Sequence, residues 1–223
     1  MFLLMRLELA ERLVCPAAHV RTPLIVIAEE TQDRELLRGT AGCMVCMREG
    51  RIRDGSLRFV AAQEGAAVTS TTRRDDLRGA GVGVAIDDDQ LFRLVALLGL
   101  GEAGLPVLLA PSYAAAASPL VERQEAMVVV FGVDAAGPRG VAYVSGCHDA
   151  VPFADGSFHA AALDETMGAA AAADAVRTVR VGGRVMAAAA MPLPPRLREL
   201  ARDAQHWVAE VEAPAVVVPL RRA

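Results

Sequence analysis

The chain has 223 residues, a formal net charge of -4 and hydrophobic side chains at 53% of its positions. Such a composition excludes intrinsic disorder, and the acidic balance excludes a surface dominated by phosphate-binding cations. Every basic residue is arginine and the arginines are scattered along the chain, so nucleic acid is not an expected partner.

The apolar start at residues 1–5 stops at Arg6 and Glu8, too short for a signal segment. Nothing approaches the ~20 apolar residues of a spanning helix. The expectation is a soluble, cytoplasmic chain, compatible with a peripheral seat on a membrane complex.

Residues 5–14 form a short amphipathic run ending at Cys15-Pro16, and residues 24–27 a strand. Residues 29–38 are polar and read as a loop or a helical turn. Residues 51–55 close a hairpin, because Asp54-Gly55 suits the positive φ of a tight turn. Residues 61–86, rich in Gly, Thr and Ala, read as a linker. Gly79-Ala80-Gly81-Val82-Gly83 has the look of a phosphate loop, but no strand precedes it and Asp87-Asp88-Asp89 follows, which would repel phosphate. Asp88 or Asp89 is expected to cap a helix over 90–98.

Beyond it strands and helices alternate. Strands are predicted at 107–110, 127–134, 141–145, 158–164 and 184–190, and helices at 112–122, 168–179 and 194–205. Two closing strands follow at 207–211 and 215–220. Apolar strands alternating with helices indicate a largely parallel sheet covered on both faces, its last two strands antiparallel neighbours.

Four cysteines in such a chain point to metal or plain thiols, not disulfides. Cys15-Pro16, Cys43-Met44-Val45-Cys46 and Ile52-Arg53-Asp54-Gly55 resemble the Trm112-like zinc ribbon. Its pattern runs from Cys-Pro-x-Cys through a Cys-x-x-Cys knuckle to an I-x-DGI ending. The family's second cysteine falls at Ala18, and His19 beside it offers a nitrogen instead. Cys15, His19, Cys43 and Cys46 make a Cys3His set suited to tetrahedral structural zinc. The alternative is a metal-free module packed by its strands. Cys147-His148 offers two further donors, with nothing near to complete a site. The resemblance implies a small β-rich module over 1–60 that engages protein partners.

In the second half, Val151-Pro152-Phe153-Ala154-Asp155-Gly156-Ser157-Phe158 resembles the LPF-x-DGSFD segment of class I, S-adenosylmethionine-dependent methyltransferases. Residues 177–185 (RTVRVGGRV) are similar to their turn before the fifth strand. The resemblance implies an α/β, Rossmann-like class I methyltransferase sheet over 88–223, mostly parallel with an antiparallel last strand. A linker over 61–87 separates it from the ribbon.

The chain departs from that family where the cofactor would sit. The segment matching the glycine loop is Val107–Ala115, with neither acid nor glycine; Pro111 lacks an N–H and Tyr113 puts a ring into the space. Asp134 matches the acid that takes the ribose hydroxyls, yet only Ala135 to Gly140 separates it from the next strand. A parallel crossover usually needs about a dozen residues, so an extended loop replaces the helix or the third strand pairs differently. Cys147 stands where the family often has an acid, with Asp149 nearby, and His159 replaces another. Asp164-Glu165 can face a substrate or simply cap a helix.

The frame is kept and the ligand chemistry is eroded. The expectation is a non-catalytic methyltransferase-like protein without bound S-adenosylmethionine, serving as an interaction or scaffold subunit of a protein complex. The alternatives are an active methyltransferase with a divergent donor site and an RNA-associated ribbon protein.

Overall fold

The computed structural model describes residues 5–59, 86–135, 140–147 and 149–214. The glycine loop at 79–83, most of the linker, His148 and the closing strand at 215–220 lie outside the described residues. No described helix is long and apolar enough to cross a membrane.

Met5–Arg6 (β1) leads into the short helix Leu7–Ala10 (α1), and Ile25–Gln32 (β2) and Glu35–Gly42 (β3) form a hairpin. The expected loop or helical turn at 29–38 is therefore two strands. Asp33 and Arg34 take φ of 49° and 66°, the left-handed pair that a two-residue hairpin turn requires. Neither is followed by the glycine that usually marks such a turn, so the sequence concealed it. Glu49–Arg53 (β4) and Ser56–Phe59 (β5) join through Asp54-Gly55 as expected.

Asp88–Leu98 (α2) opens the second half. Its cap is Asp87, one residue before those expected: its carboxylate accepts the Gln90 N–H at 2.7 Å and the Gln90 side chain accepts the Asp87 N–H. Pro106–Leu109 (β6) follows, then a 3-10 turn over Pro111–Ala116 running into Ala117–Gln124 (α3). Met127–Phe131 (β7), Val141–Ser145 (β8) and Phe158–Leu163 (β9) come next, then a 3-10 turn at Glu165–Met167, Ala169–Thr178 (α4) and Val179–Ala188 (β10).

The helix expected at 194–205 does not form. Leu197–Arg202 (β11) pairs antiparallel with His206–Val211 (β12). Asp203 builds the turn between them, accepting the N–H groups of Gln205 and His206 at 2.7 and 2.8 Å. Pairing with β12 outweighs the helical propensity of 197–202.

All described strands belong to one sheet, ordered β3–β4–β5–β8–β7–β6–β9–β10–β12–β11, with β1 and β2 both on β3. Counted from β6, the second half reads third, second, first, fourth, fifth, which is the doubly wound order. Antiparallel β12 then sits beside β10, with β11 outside it. The α/β, Rossmann-like sheet that the resemblance implied is thus present, mostly parallel in this half with antiparallel strands at its end. β8 takes its place parallel to β7 although only residues 132–140 join them. Strands of this length are about 17 Å long, and the connection can extend about 30 Å, so no helix is needed for the return.

Successive strand residues alternate between two buried layers. Leu108, Val129, Val144 and Ala161 pack with α4 and the N-terminal part, whereas Val107, Val128, Tyr143 and Ala160 pack under α2 and α3. Over β3, β4 and β5 only the first layer continues. Arg38, Arg51, Arg53 and Arg58 line the opposite, exposed face.

The two halves meet as one sheet, since β5 runs parallel to β8 with Leu57 opposite Val144. Gly146 permits this, because a Cβ there would sit 2.2 Å from the Phe59 carbonyl oxygen. Behind the sheet, Val14 N–H donates to the Pro152 carbonyl at 3.1 Å and Ala154 N–H to that of Arg12 at 2.8 Å. Arg177 secures the connector: it donates to Asp174, to Asp155 and to the carbonyls of Val151 and Phe153, all between 2.7 and 3.0 Å. Its side chain is only 10% exposed. Arg177→Met is expected to lower unfolding free energy in urea by about 3 kcal/mol, since it leaves the Val151 and Phe153 carbonyls without their donor and Asp174 with only the exposed Arg21 as a charged partner. Arg198→Met, at an exposed pair with Glu210, should change it by about 0.5 kcal/mol or less.

Candidate functional site

Two loops bring four metal-ligand types together. Leu13–Cys15 folds back on the chain ahead of β2, with Cys15 N–H donating to the Thr22 carbonyl at 2.9 Å, so residues 16–21 close as a loop that carries His19. Between β3 and β4 a tight knuckle forms: Met47 N–H donates to the Cys43 carbonyl and Cys43 N–H to that of Arg48. Met47 takes φ 58° to complete it.

The ligand atoms of Cys15, His19, Cys43 and Cys46 all lie within 4.8 Å of one another. Cys15 Sγ is 3.5 Å from Cys46 Sγ, and His19 Nε2 is 3.3 Å from Cys46 Sγ and 3.5 Å from Cys43 Sγ. A zinc tetrahedron with its usual bond lengths has S···S edges near 3.8 Å and S···N edges near 3.5 Å, so these four atoms are pre-shaped for one. His19 Nδ1 lies 2.6 Å from the Val20 carbonyl and donates to it, which leaves the Nε2 lone pair facing the sulfurs.

The thiols are unequal. Burial pushes Cys15 up to about 12. At Cys43 burial also works upward, but the N–H groups of Cys46 and Val45 outweigh it and the net shift is down. The Arg48 N–H holds Cys46 below its ordinary value. A tetrahedral cation is the group that would relieve the protonated, buried Cys15.

The cofactor edge of the sheet is arranged differently from an open crevice. Beyond β6 the chain enters the 3-10 turn through Pro111, whose Cγ lies 3.4 Å from where a Cβ on Gly132 would stand. The proline ring thus reaches the end of β7. Ser112 follows, its N–H donating to Asp164 at 3.1 Å and its hydroxyl to the same carboxylate oxygen. The other Asp164 oxygen accepts the Thr166 N–H at 2.8 Å and the Thr166 hydroxyl. Tyr113 packs against both core layers, and burial followed by the Asp164 charge pushes its hydroxyl up to about 12.

Asp164, one candidate catalytic group from the sequence, is therefore the clasp between β9 and the turn after β6. Glu165 beside it is exposed. Asp134 is exposed at the end of β7 and pairs with Arg58 of β5 at 2.8 Å. Cys147 is buried and pushed up to about 12 by that burial, a neutral thiol. His159 lies at the start of β9, the end away from the crevice, and bonds the Gly99 carbonyl at 3.2 Å. Burial lowers its pKa.

A cleft of about 760 Å³ runs between the loop at residues 16–21 and the β8 end, lined in part by Cys15, His19, Arg48, Cys147 and Asp149. Asp164 does cap the turn that follows it, as one of its two expected roles had it, whereas its hold on Ser112 and the part of Arg58 carry no local sequence signal. Arg58 could be found only through the β5–β8 register, and the clasp only through the turn that brings Ser112 to the end of β9.

No family model and no curated protein matches the chain. Solved structures do match. Geranyl diphosphate C-methyltransferase from Streptomyces coelicolor A3(2) is 17% identical over 44% of this chain and 44% of its own, with a TM-score of 0.35. The antibiotic-resistance methyltransferase Kmr is 12% identical over 56% of this chain and 93% of its own, at 0.38. The [4+2]-cyclase SpnF is 16% identical over 44% of this chain and 43% of its own, at 0.37. Apart from Kmr, the chain spans about half or less of these proteins.

Asp164→Ala should cost about 2–4 kcal/mol in chemical denaturation, because it frees four donors and the turn they hold. A carboxylate waiting in an open ligand site would instead be removed with little loss, or with a gain.

Proposed function

We propose that this protein is a non-catalytic member of the methyltransferase fold, carrying a structural zinc ribbon and acting as an interaction or scaffold subunit of a protein complex. The observation that carries the reading is the filled donor edge. Pro111 lies against Gly132, and Asp164 fixes Ser112 and Tyr113 in the turn where a cofactor would need bare backbone. The carboxylate in the amino acid part of such a cofactor needs close N–H groups and space, and Pro111 supplies neither.

The four-ligand cluster supports the zinc assignment. Zinc here cross-links the loop before β2 to the β3–β4 knuckle, adding a coordinate tie where Cys15 and Cys43 are already buried in one core cluster. Its chemistry is structural, because a fourth protein ligand leaves no open position for substrate.

Isothermal titration with S-adenosylmethionine is expected to show no heat of binding; micromolar affinity would overturn the pseudoenzyme reading. On the rival reading, an active enzyme with a divergent donor site, affinity is present and Asp134→Ala abolishes it. Elemental analysis should give one zinc per chain. His19→Ala should lower that occupancy, and chelation should lower the melting temperature of the wild type more than that of the variant.

A further inference from the structure

The described surface carries nine large apolar side chains in open solvent, and six of them belong to the ribbon: Val20, Ile25, Ile27, Met44, Val45 and Met47, between 52% and 86% exposed. They neighbour the cluster in the chain or across the β2–β3 ladder. Val20 follows His19 at the cluster, and Met44, Val45 and Met47 form the knuckle. Ile25 lies opposite Gly42, next to Cys43, and Ile27 lies opposite Thr40 on the same face. Together they expose on the order of 700 Å² of side chain, more than the scattered apolar surface of a monomer.

Among the described residues the strand that carries the two isoleucines is also an outer edge of the sheet, paired with β3, while Thr22–Leu24 just before it pairs with Leu13–Cys15. Natural edges are defended by bulges and charge. The second half of β2 has both, with register shifts at Ala28/Glu30 and Glu30/Thr31 and the acids Glu29 and Glu30. The first half, Ile25-Val26-Ile27-Ala28, has neither.

We propose that this half-edge and the knuckle beside it form a twofold interface between two copies of this chain. The sequence is self-complementary about Val26. Antiparallel pairing centred there sets Ile25 against Ile27 of the other copy, twice, on one face. β-branched pairs across strands are the favoured kind. The same register lays Glu29 and Glu30 beside Pro23 and Thr22 of the other copy, next to Arg21 and not against another acid. A shift by two residues would set Ile25 against Glu29 and lose that match. Twice the exposed patch is about 1,400 Å², the size of a standard stable interface. The inference does not depend on whether the donor site is closed.

Light scattering coupled to size exclusion tests it on the full zinc-loaded chain, from sub-micromolar to tens of micromolar. The expected mass is twice 23.4 kDa. Ile25→Asp with Ile27→Asp should give monomer with unchanged zinc content and unchanged circular dichroism. Phe92→Asp, at an exposed apolar residue on α2, should remain dimeric. A wild type that is monomeric throughout overturns the proposal. So does a dimer that survives the double substitution. Flotation of a monomeric wild type with phosphatidylcholine–phosphatidylglycerol vesicles would also overturn it, assigning the patch to lipid.

Discussion

The backbone ladder between β5 and β8 is the constraint on which the rest of the molecule depends. A doubly wound sheet normally leaves its third strand as an open edge, and an open apolar edge is a liability. Here the N-terminal hairpins supply the missing neighbour, and the twelve described strands become one sheet. The ladder demands a glycine at 146, because the Phe59 carbonyl occupies the space of a Cβ. It also decides what happens to Asp134, since placing Arg58 two strands from β7, across β8, gives that carboxylate an internal partner.

From this junction two polar systems follow, each spending side chains on the protein itself. Arg177 and Asp174 hold the connector 151–154 against residues 12–14, and Arg21 reaches the same Asp174 at 3.1 Å. The metal-type cluster sits on the other side of that loop, so the loop carrying Cys15 and His19 is anchored at both ends. On the reading proposed above, zinc and the Arg177 network are two clamps on one segment. In that cluster His19 is oriented by its own Val20 carbonyl bond.

Much of the frame was legible because strand burial leaves a strong signal. Val128-Val129-Val130 and Ala160-Ala161-Ala162 are apolar at every position since both sheet faces are covered, and the eye finds such runs directly. The four metal-type ligands were legible for a different reason, namely chemical type at fixed spacing. What escaped was set by register and by turns without the usual residues. Asp33-Arg34 turns a hairpin without glycine, and 197–202 becomes a strand only because β12 presents a free edge. The partner of Asp134 is a residue 76 positions earlier in the chain, a relation no local pattern encodes.

Magnitudes decide which departure from the family matters most for the donor edge. The Arg58–Asp134 pair is more than half exposed on both sides, and such pairs contribute about 0–1 kcal/mol. A ligand with hydroxyls to offer could displace that arginine at small cost. The Asp164 clasp is another matter: it is buried, it satisfies two backbone N–H groups and two hydroxyls, and opening it exposes the turn that Tyr113 seals. Groups of that kind cost about 1–3 kcal/mol each to leave unpaired. On the proposed reading, even an opened clasp presents the Pro111 ring and no N–H of that residue to a ligand carboxylate. On that reading the barrier to a cofactor lies in the backbone after β6, and restoring one acid elsewhere would not remove it.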